Sequence, residues 1–252
     1  MQLHLKSPSS GMIPALFLHI QKTAGSSLVN QARRFYGESL ISHGGYSGKK
    51  PNQLRNIGFV SGHFGYHFAQ HLMPGRFTFT FLRDPAERVL SMYYFCRNRN
   101  PDQFEIYRKA HELTLPDFLE AGLTDPCIRM HIWNNQVWQL AHGYAQLDNR
   151  AIDDFSGEEL VLLAREHLGH FSFVGFTETF DTDAATVMKA LRFPKVKQLP
   201  HLNANPEQYR VEELSPKIKL KLDRLTQLDR ALYDNAWKEH SVTQRIKRRR
   251  WW

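Results

Sequence analysis

The chain has 252 residues, 42% of them hydrophobic, enough to bury one sizeable core, and no linker long or polar enough to divide it. Thirty-three Lys and Arg against 25 Asp and Glu give a formal charge of +8, which favours an anionic partner: a nucleotide with several phosphates, an acidic glycan, nucleic acid or an anionic membrane surface. Two cysteines, Cys96 and Cys127, without C-x-x-C spacing imply no disulfide framework, and no segment approaches the roughly eighteen apolar residues of a membrane helix, so a soluble cytoplasmic protein is expected.

The first element is a short apolar run, Ala15 to His19, that reads as a buried strand. It leads through Gln21-Lys22-Thr23-Ala24-Gly25-Ser26-Ser27 into a helical pattern from Leu28 to Tyr36. Small residues at a strand-to-helix turn let free backbone N–H groups and the helix dipole face an anion, while Lys22 adds a full cation and Ser26 and Ser27 add hydroxyls. A nucleoside-triphosphate loop would read G-x-x-x-x-G-K-[ST]; here the lysine precedes the glycine.

Residues 37–56 are rich in Gly, Ser, Lys and Asn and read as a surface loop. A second apolar stretch, Ile57 to Val60, precedes Ser61-Gly62-His63. His63 is a candidate base, since imidazole titrates near working pH; alternatively His63, His67 and His71 form a stripe on a helix, from which a zinc site would draw two ligands, although no H-E-x-x-H supports it. Phe77 to Leu82 alternates aromatic and other residues as a strand does, and Arg83-Asp84-Pro85 starts a helix with Asp84 as N-cap and Pro85 at its first position. Arg83 at the strand end and Ser91 about two turns on are placed to face one crevice.

Leu113 to Ala121 and Ile128 to Ala141 have helical spacing, with Trp133, Val137 and Leu140 on an apolar face. Glu158 to Leu168 reads as a helix, Phe171 to Phe176 as a strand, Asp181 to Leu191 as a helix, and His201 to Pro206 as a polar turn. Leu225 to His240, with Leu228, Leu232 and Trp237 on one side, is a terminal amphipathic helix. Residues 1–252 thus read as one domain with a basic, Trp-ended tail from about 243, which suits a polyanion or the surface of an anionic membrane, or is simply solvated.

Two of these motifs, His19-Ile20-Gln21-Lys22-Thr23-Ala24-Gly25-Ser26-Ser27 and Arg83-Asp84-Pro85 with Arg88 and Ser91, resemble in type and order those of the sulfotransferases that use PAPS, 3'-phosphoadenosine 5'-phosphosulfate. Gln21 stands where that family's pattern has proline. Ser61-Gly62-His63 resembles the H-G-H region of uronyl 2-O-sulfotransferases, with serine for the first histidine, and Phe173 to Glu178 resembles the family's V-G-x-T-E strand. The resemblance implies a P-loop-like three-layer α/β/α sandwich with a central, mostly parallel sheet and the nucleotide at the carboxyl ends of its strands. It implies that Lys22, Thr23, Ala24, Gly25, Ser26 and Ser27 hold the 5'-phosphosulfate, that Arg83 and Ser91 hold the 3'-phosphate, and that Asn203 and Asn205 close over the nucleotide. His63 would deprotonate a hydroxyl of a saccharide, such as a capsular or other acidic polysaccharide in a bacterium, with Lys22 as the second catalytic group, PAP as product, no metal and no specific nucleic acid. The rival readings are a magnesium-dependent kinase-like phosphotransferase and a non-enzymatic polyanion-binding module.

Overall fold

The computed structural model describes residues 11–144, 150–193 and 210–249, with side chains as far as residue 241. Five strands, β1 (Ala15–Leu18), β2 (Leu40–Ile41), β3 (Phe59–Gly62), β4 (Phe77–Leu82) and β5 (Phe173–Phe176), pair in parallel in the order β2-β3-β1-β4-β5. The helices are α1 (Gly25–Tyr36), α2 (Tyr66–Ala69), α3 (Pro85–Arg97), α4 (Glu105–Glu112), α5 (Leu115–Ala121), α6 (Pro126–Ile132), α7 (Asn135–Ala141), α8 (Gly157–Leu168), α9 (Phe180–Ala190) and α10 (Pro216–Arg249).

Strand periodicity creates the layers. Ala15 and Phe17 of β1, Phe59 of β3 and Phe79 and Phe81 of β4 face one side, where they pack with Leu28, Val29 and Ala32 of α1 and Phe180, Ala184 and Val187 of α9. Leu16 and Leu18, Val60 and Leu82 face the other, against α2, α7, α8 and α10. Being covered on both faces, the parallel strands are apolar almost throughout. A third cluster joins α3, α4, α5, α6 and the first part of α10. The strand order diverges on either side of β1, and such a divergence leaves a crevice outside the carboxyl ends.

The expected α/β architecture is present, and β1, β4, α3 and α8 fall within a few residues of their sequence positions. Four local expectations are corrected. The stretch 37–56 is not all loop, because Leu40–Ile41 adds an edge strand to β3. The pattern from Ile128 to Ala141 breaks into α6 and α7, with Asn134 between them in the left-handed region at φ 41°. The histidine stripe does not form, since His63 precedes the short α2 that carries His67. The terminal helix is far longer than expected and runs from Pro216 to Arg249. The side chains of the basic tail, and Asn203 and Asn205, lie outside the described residues. No helix among the described residues is long and apolar enough to cross a membrane.

Candidate active site

All five strands deliver a side chain from just beyond their carboxyl ends into one cavity of about 800 Å³: His19 after β1, His43 after β2, His63 after β3, Arg83 after β4 and Thr177 after β5. The wall also includes Ser91, Met92, Phe95 and Cys96 of α3, Ile106 and Tyr107 of α4, and Cys127 and His131 of α6. The site therefore sits on the rigid sheet edge and is roofed by the helical cluster.

The loop after β1 is strongly curled, with Lys22 and Ala24 both in the left-handed region at φ 70° and 61°. Thr23 between them is fully buried, and its hydroxyl donates to the Ile20 carbonyl at 2.9 Å. Its side chain thus braces the loop, and Thr23, expected with Lys22 and residues 24–27 to hold the 5'-phosphosulfate, is not among the side chains that line the cavity. Helix α1 begins at Gly25 with no side-chain hydrogen bond from its N-cap and no acidic residue in its first turn, so the positive end of its dipole is not offset there by a carboxylate. Gly25 is obligatory for a packing reason: a Cβ there would lie 2.4 Å from His19 Nε2 and 2.7 Å from Phe17 Cζ. Lys22, Ala24, Gly25, Ser26 and Ser27 all line the cavity.

Lys22 extends over the Phe95 ring, its Nζ 3.9 Å from the centroid. Burial, and then the neighbouring Arg83 guanidinium, pull its pKa down to about 8. The two sequence motifs meet here, because Arg83 Nη1 donates to the Lys22 carbonyl at 3.2 Å. Arg83 is gripped by its main chain. Its N–H donates to Gln136 Oε1 at 3.0 Å and its carbonyl accepts from Gln136 Nε2 at 2.9 Å. On either side the Thr177 hydroxyl donates to the Leu82 carbonyl and the Asp84 N–H donates to Glu178 Oε1. Asp84 caps α3 as expected, accepting from the Glu87 N–H, while its other oxygen pairs with Arg230 at 2.8 Å. The Arg83 guanidinium has the Glu87 carboxylate at 3.6 Å and faces the cavity with Ser91.

His63 donates from Nδ1 to the His19 carbonyl at 2.7 Å, so Nε2 keeps its lone pair. The same carbonyl accepts from Gln139 Nε2 at 3.2 Å. Burial, with His43 and Lys22 nearby, lowers the His63 pKa to about 4 and keeps the ring neutral. His19 stacks on Phe17 and lies 4.7 Å from the His63 ring between centroids.

The structure thus brings Lys22, Ala24, Gly25, Ser26, Ser27, His63, Arg83 and Ser91 to one cavity. Sequence reasoning missed three contributors: Gln136 and Glu178, which fix the Arg83 turn, and His131. The Thr177-Glu178 pair was visible as a motif, but its hydrogen bonds to the Arg83 turn were not. Among the described residues no group of three or more His, Cys, Asp or Glu side chains is arranged to hold a metal ion.

Curated proteins give no significant match to this chain. The crystal structure of mouse sulfotransferase SULT7A1 complexed with PAP is similar over 88% of this chain and 88% of that one, with 12% identity and a TM-score of 0.45. The model described as the sulfotransferase family matches residues 13–235, from the start of β1 through nearly all of the described core, and the chain belongs to that family, the PAPS-dependent sulfotransferases.

Proposed function

We propose that this cavity moves a sulfuryl group from PAPS to a hydroxyl of a saccharide, with Lys22, Arg83 and His63 as its working groups. The observation that carries the reading is the meeting of the two cations: Arg83 at the end of β4 bonds the Lys22 carbonyl across the mouth of α1, within one cavity. The donor set fits a molecule with phosphate at both ends, for it combines a helix N-terminus with no acidic residue in its first turn, a lysine, an arginine fork and the hydroxyls of Ser26, Ser27 and Ser91.

PAPS supplies the sulfuryl group and departs as PAP. Lys22, with Gly25, Ser26 and Ser27, holds the 5'-phosphate end and stabilises the charge that develops as the sulfur–oxygen bond breaks. Arg83 and Ser91 hold the 3'-phosphate. His63 Nε2 takes the proton of the attacking hydroxyl. Its low pKa belongs to the free protein, and negative charge seated on Lys22 favours the imidazolium, which strengthens the base when the site is loaded. Preorganised positive charge and positioning supply most of the rate.

A saccharide fits the outer wall. Phe95, Tyr107 and Phe104 form an aromatic series with ring centroids 6.0 and 5.2 Å apart, Phe104 is 56% exposed, and the Arg99 guanidinium lies 4.5 Å from the Phe95 centroid. The rings meet edge to face, and apolar ring surface with a cation nearby suits an acidic sugar ring. The test is calorimetric titration with PAP beside ADP and ATP, with and without magnesium. Tight, metal-independent PAP binding that Arg83→Ala weakens supports the reading; preference for ATP with magnesium replaces it with phosphoryl transfer.

A further inference from the structure

Gln21, the departure from the family's loop pattern, has a partner 110 residues away. Its Oε1 lies 3.2 Å from His131 Nδ1, and both side chains line the cavity. An amide oxygen only accepts, so Nδ1 of His131 carries the proton and Nε2 holds a lone pair. His63 reaches the same state by another route, with Nδ1 tied to the His19 carbonyl. Two imidazoles, one from the end of β3 and one from α6, are thus each tied at Nδ1 on the wall of a single cavity.

His131 is rigidly mounted. Its carbonyl accepts from Nη2 of the fully buried Arg88 at 2.9 Å. Helix α6 is capped at its start by Asp125, which accepts from the Cys127 and Ile128 N–H groups, and just beyond its end the Asn134 N–H donates to the Leu225 carbonyl of α10. Burial, then Arg88 and His63, hold its pKa down to about 4. A neutral lone pair repels phosphate and sulfate oxygens, so His131 is unsuited to the anionic groups of the donor. Its chemical complement is an O–H group.

We propose that Gln21 is a positioning residue that fixes His131 as the Nδ1–H tautomer, and that His131 Nε2 accepts a hydrogen bond from a hydroxyl of the acceptor beside His63. The inference rests on the sulfuryl-transfer reading of the cavity and adds a second contact on its acceptor side. A proline at position 21 has no group to offer His131, so this chain's acceptor site is tied to its own loop sequence.

The test uses the full chain with Gln21→Pro, His131→Phe and the double variant. Long-range proton–nitrogen NMR of the imidazoles should show Nδ1–H for His131 in the parent and a shift toward Nε2–H in Gln21→Pro. PAP affinity, by calorimetry, should stay within about twofold in all three, while conversion of PAPS to PAP and sulfate with water as acceptor should fall about tenfold in each single variant, the worth of one hydrogen bond, and no further in the double. If water turnover in the parent is below detection, methyl β-D-glucuronide added to the PAP complex should move the His131 Nε2 resonance, and no movement overturns the contact. An unchanged tautomer in Gln21→Pro, parental turnover in His131→Phe, or additive losses in the double variant also overturn it. Failure of the parent to bind PAP would instead sink the donor-site reading and leave the tautomer result standing.

Discussion

Asn134 and Asp229 each bond the backbone of the other's element: Asp229 caps α7, and Asn134 reaches the middle of α10. The Asn134 side-chain oxygen accepts from the Leu228 and Asp229 N–H groups of α10 at 2.9 and 3.2 Å, and the Asp229 carboxylate accepts from the Gln136 and Val137 N–H groups at the start of α7 at 3.3 and 2.7 Å. Both side chains are buried, and burial pushes the Asp229 carboxyl up to about 6 against the opposing pull of Arg88. The pair fixes where α7 begins and therefore where Gln136 stands. Asn134→Ala takes the side-chain acceptor from the part-buried Leu228 N–H and the buried Asp229 N–H, and we expect a loss of about 2–3 kcal/mol in urea unfolding with an unchanged m-value. A cost below half a kcal/mol would mean that the exchange is not structural.

Gln136 holds Arg83 by both main-chain polar groups, so its effect should be seen in ligand affinity as well as stability. Gln136→Leu keeps the approximate volume and removes both bonds. PAP affinity should drop about tenfold or more in calorimetry while far-ultraviolet circular dichroism stays unchanged. Retention of parental affinity would show that Thr177 and Glu178 suffice to set the turn.

Lys22, with a pKa of about 8 in the free protein, is only partly charged in mildly alkaline solution. Bound phosphate favours the ammonium, so PAP affinity should fall as pH rises through 8, approaching tenfold per pH unit, with proton uptake on binding. Calorimetry in buffers of different ionisation enthalpy measures that uptake. Lys22→Met should remove the dependence and, like Lys22→Ala, lower turnover by about a hundredfold or more.

As the proposed base, His63 should set the acid side of the rate profile. Because its pKa in the free protein is about 4, kcat/KM should hold nearly level down to mildly acidic pH and decline only as pH falls through about 4. The kcat profile should decline at higher pH, since negative charge in the loaded site raises the pKa. His63→Ala should reduce turnover about a hundredfold or more, and near-parental activity would remove His63 from the reaction.

Much of this was legible in the sequence because the signals are local. The buried strand Ala15–Leu18 is an unbroken apolar run, and Asp84-Pro85 is a cap and first-turn pair whose chemistry is complete within four residues. Strand β2 was not legible, since two residues in a Gly- and Ser-rich stretch have no periodicity to show and owe their pairing to Phe59 and Val60. The break at Asn134 was hidden for a related reason: its partners, Leu225, Leu228 and Asp229, lie more than ninety residues away. His131 stands near the end of a seven-residue helix, and nothing nearby in sequence distinguishes it from a core histidine. Its meaning appears only when Gln21 is brought against it.

Among its described side chains helix α10 contributes none to the cavity wall, yet it carries both Asp229, which caps α7, and Arg230, which pairs with Asp84 at the Arg83 turn. An opening that peels α10 from the body removes the Asp229 cap of α7 and the Arg230 pair beside Arg83, so the Arg83 turn is expected to loosen with the helix. A ligand held by Arg83 at the sheet edge is then expected to slow amide exchange in the middle of α10 without contact between the two.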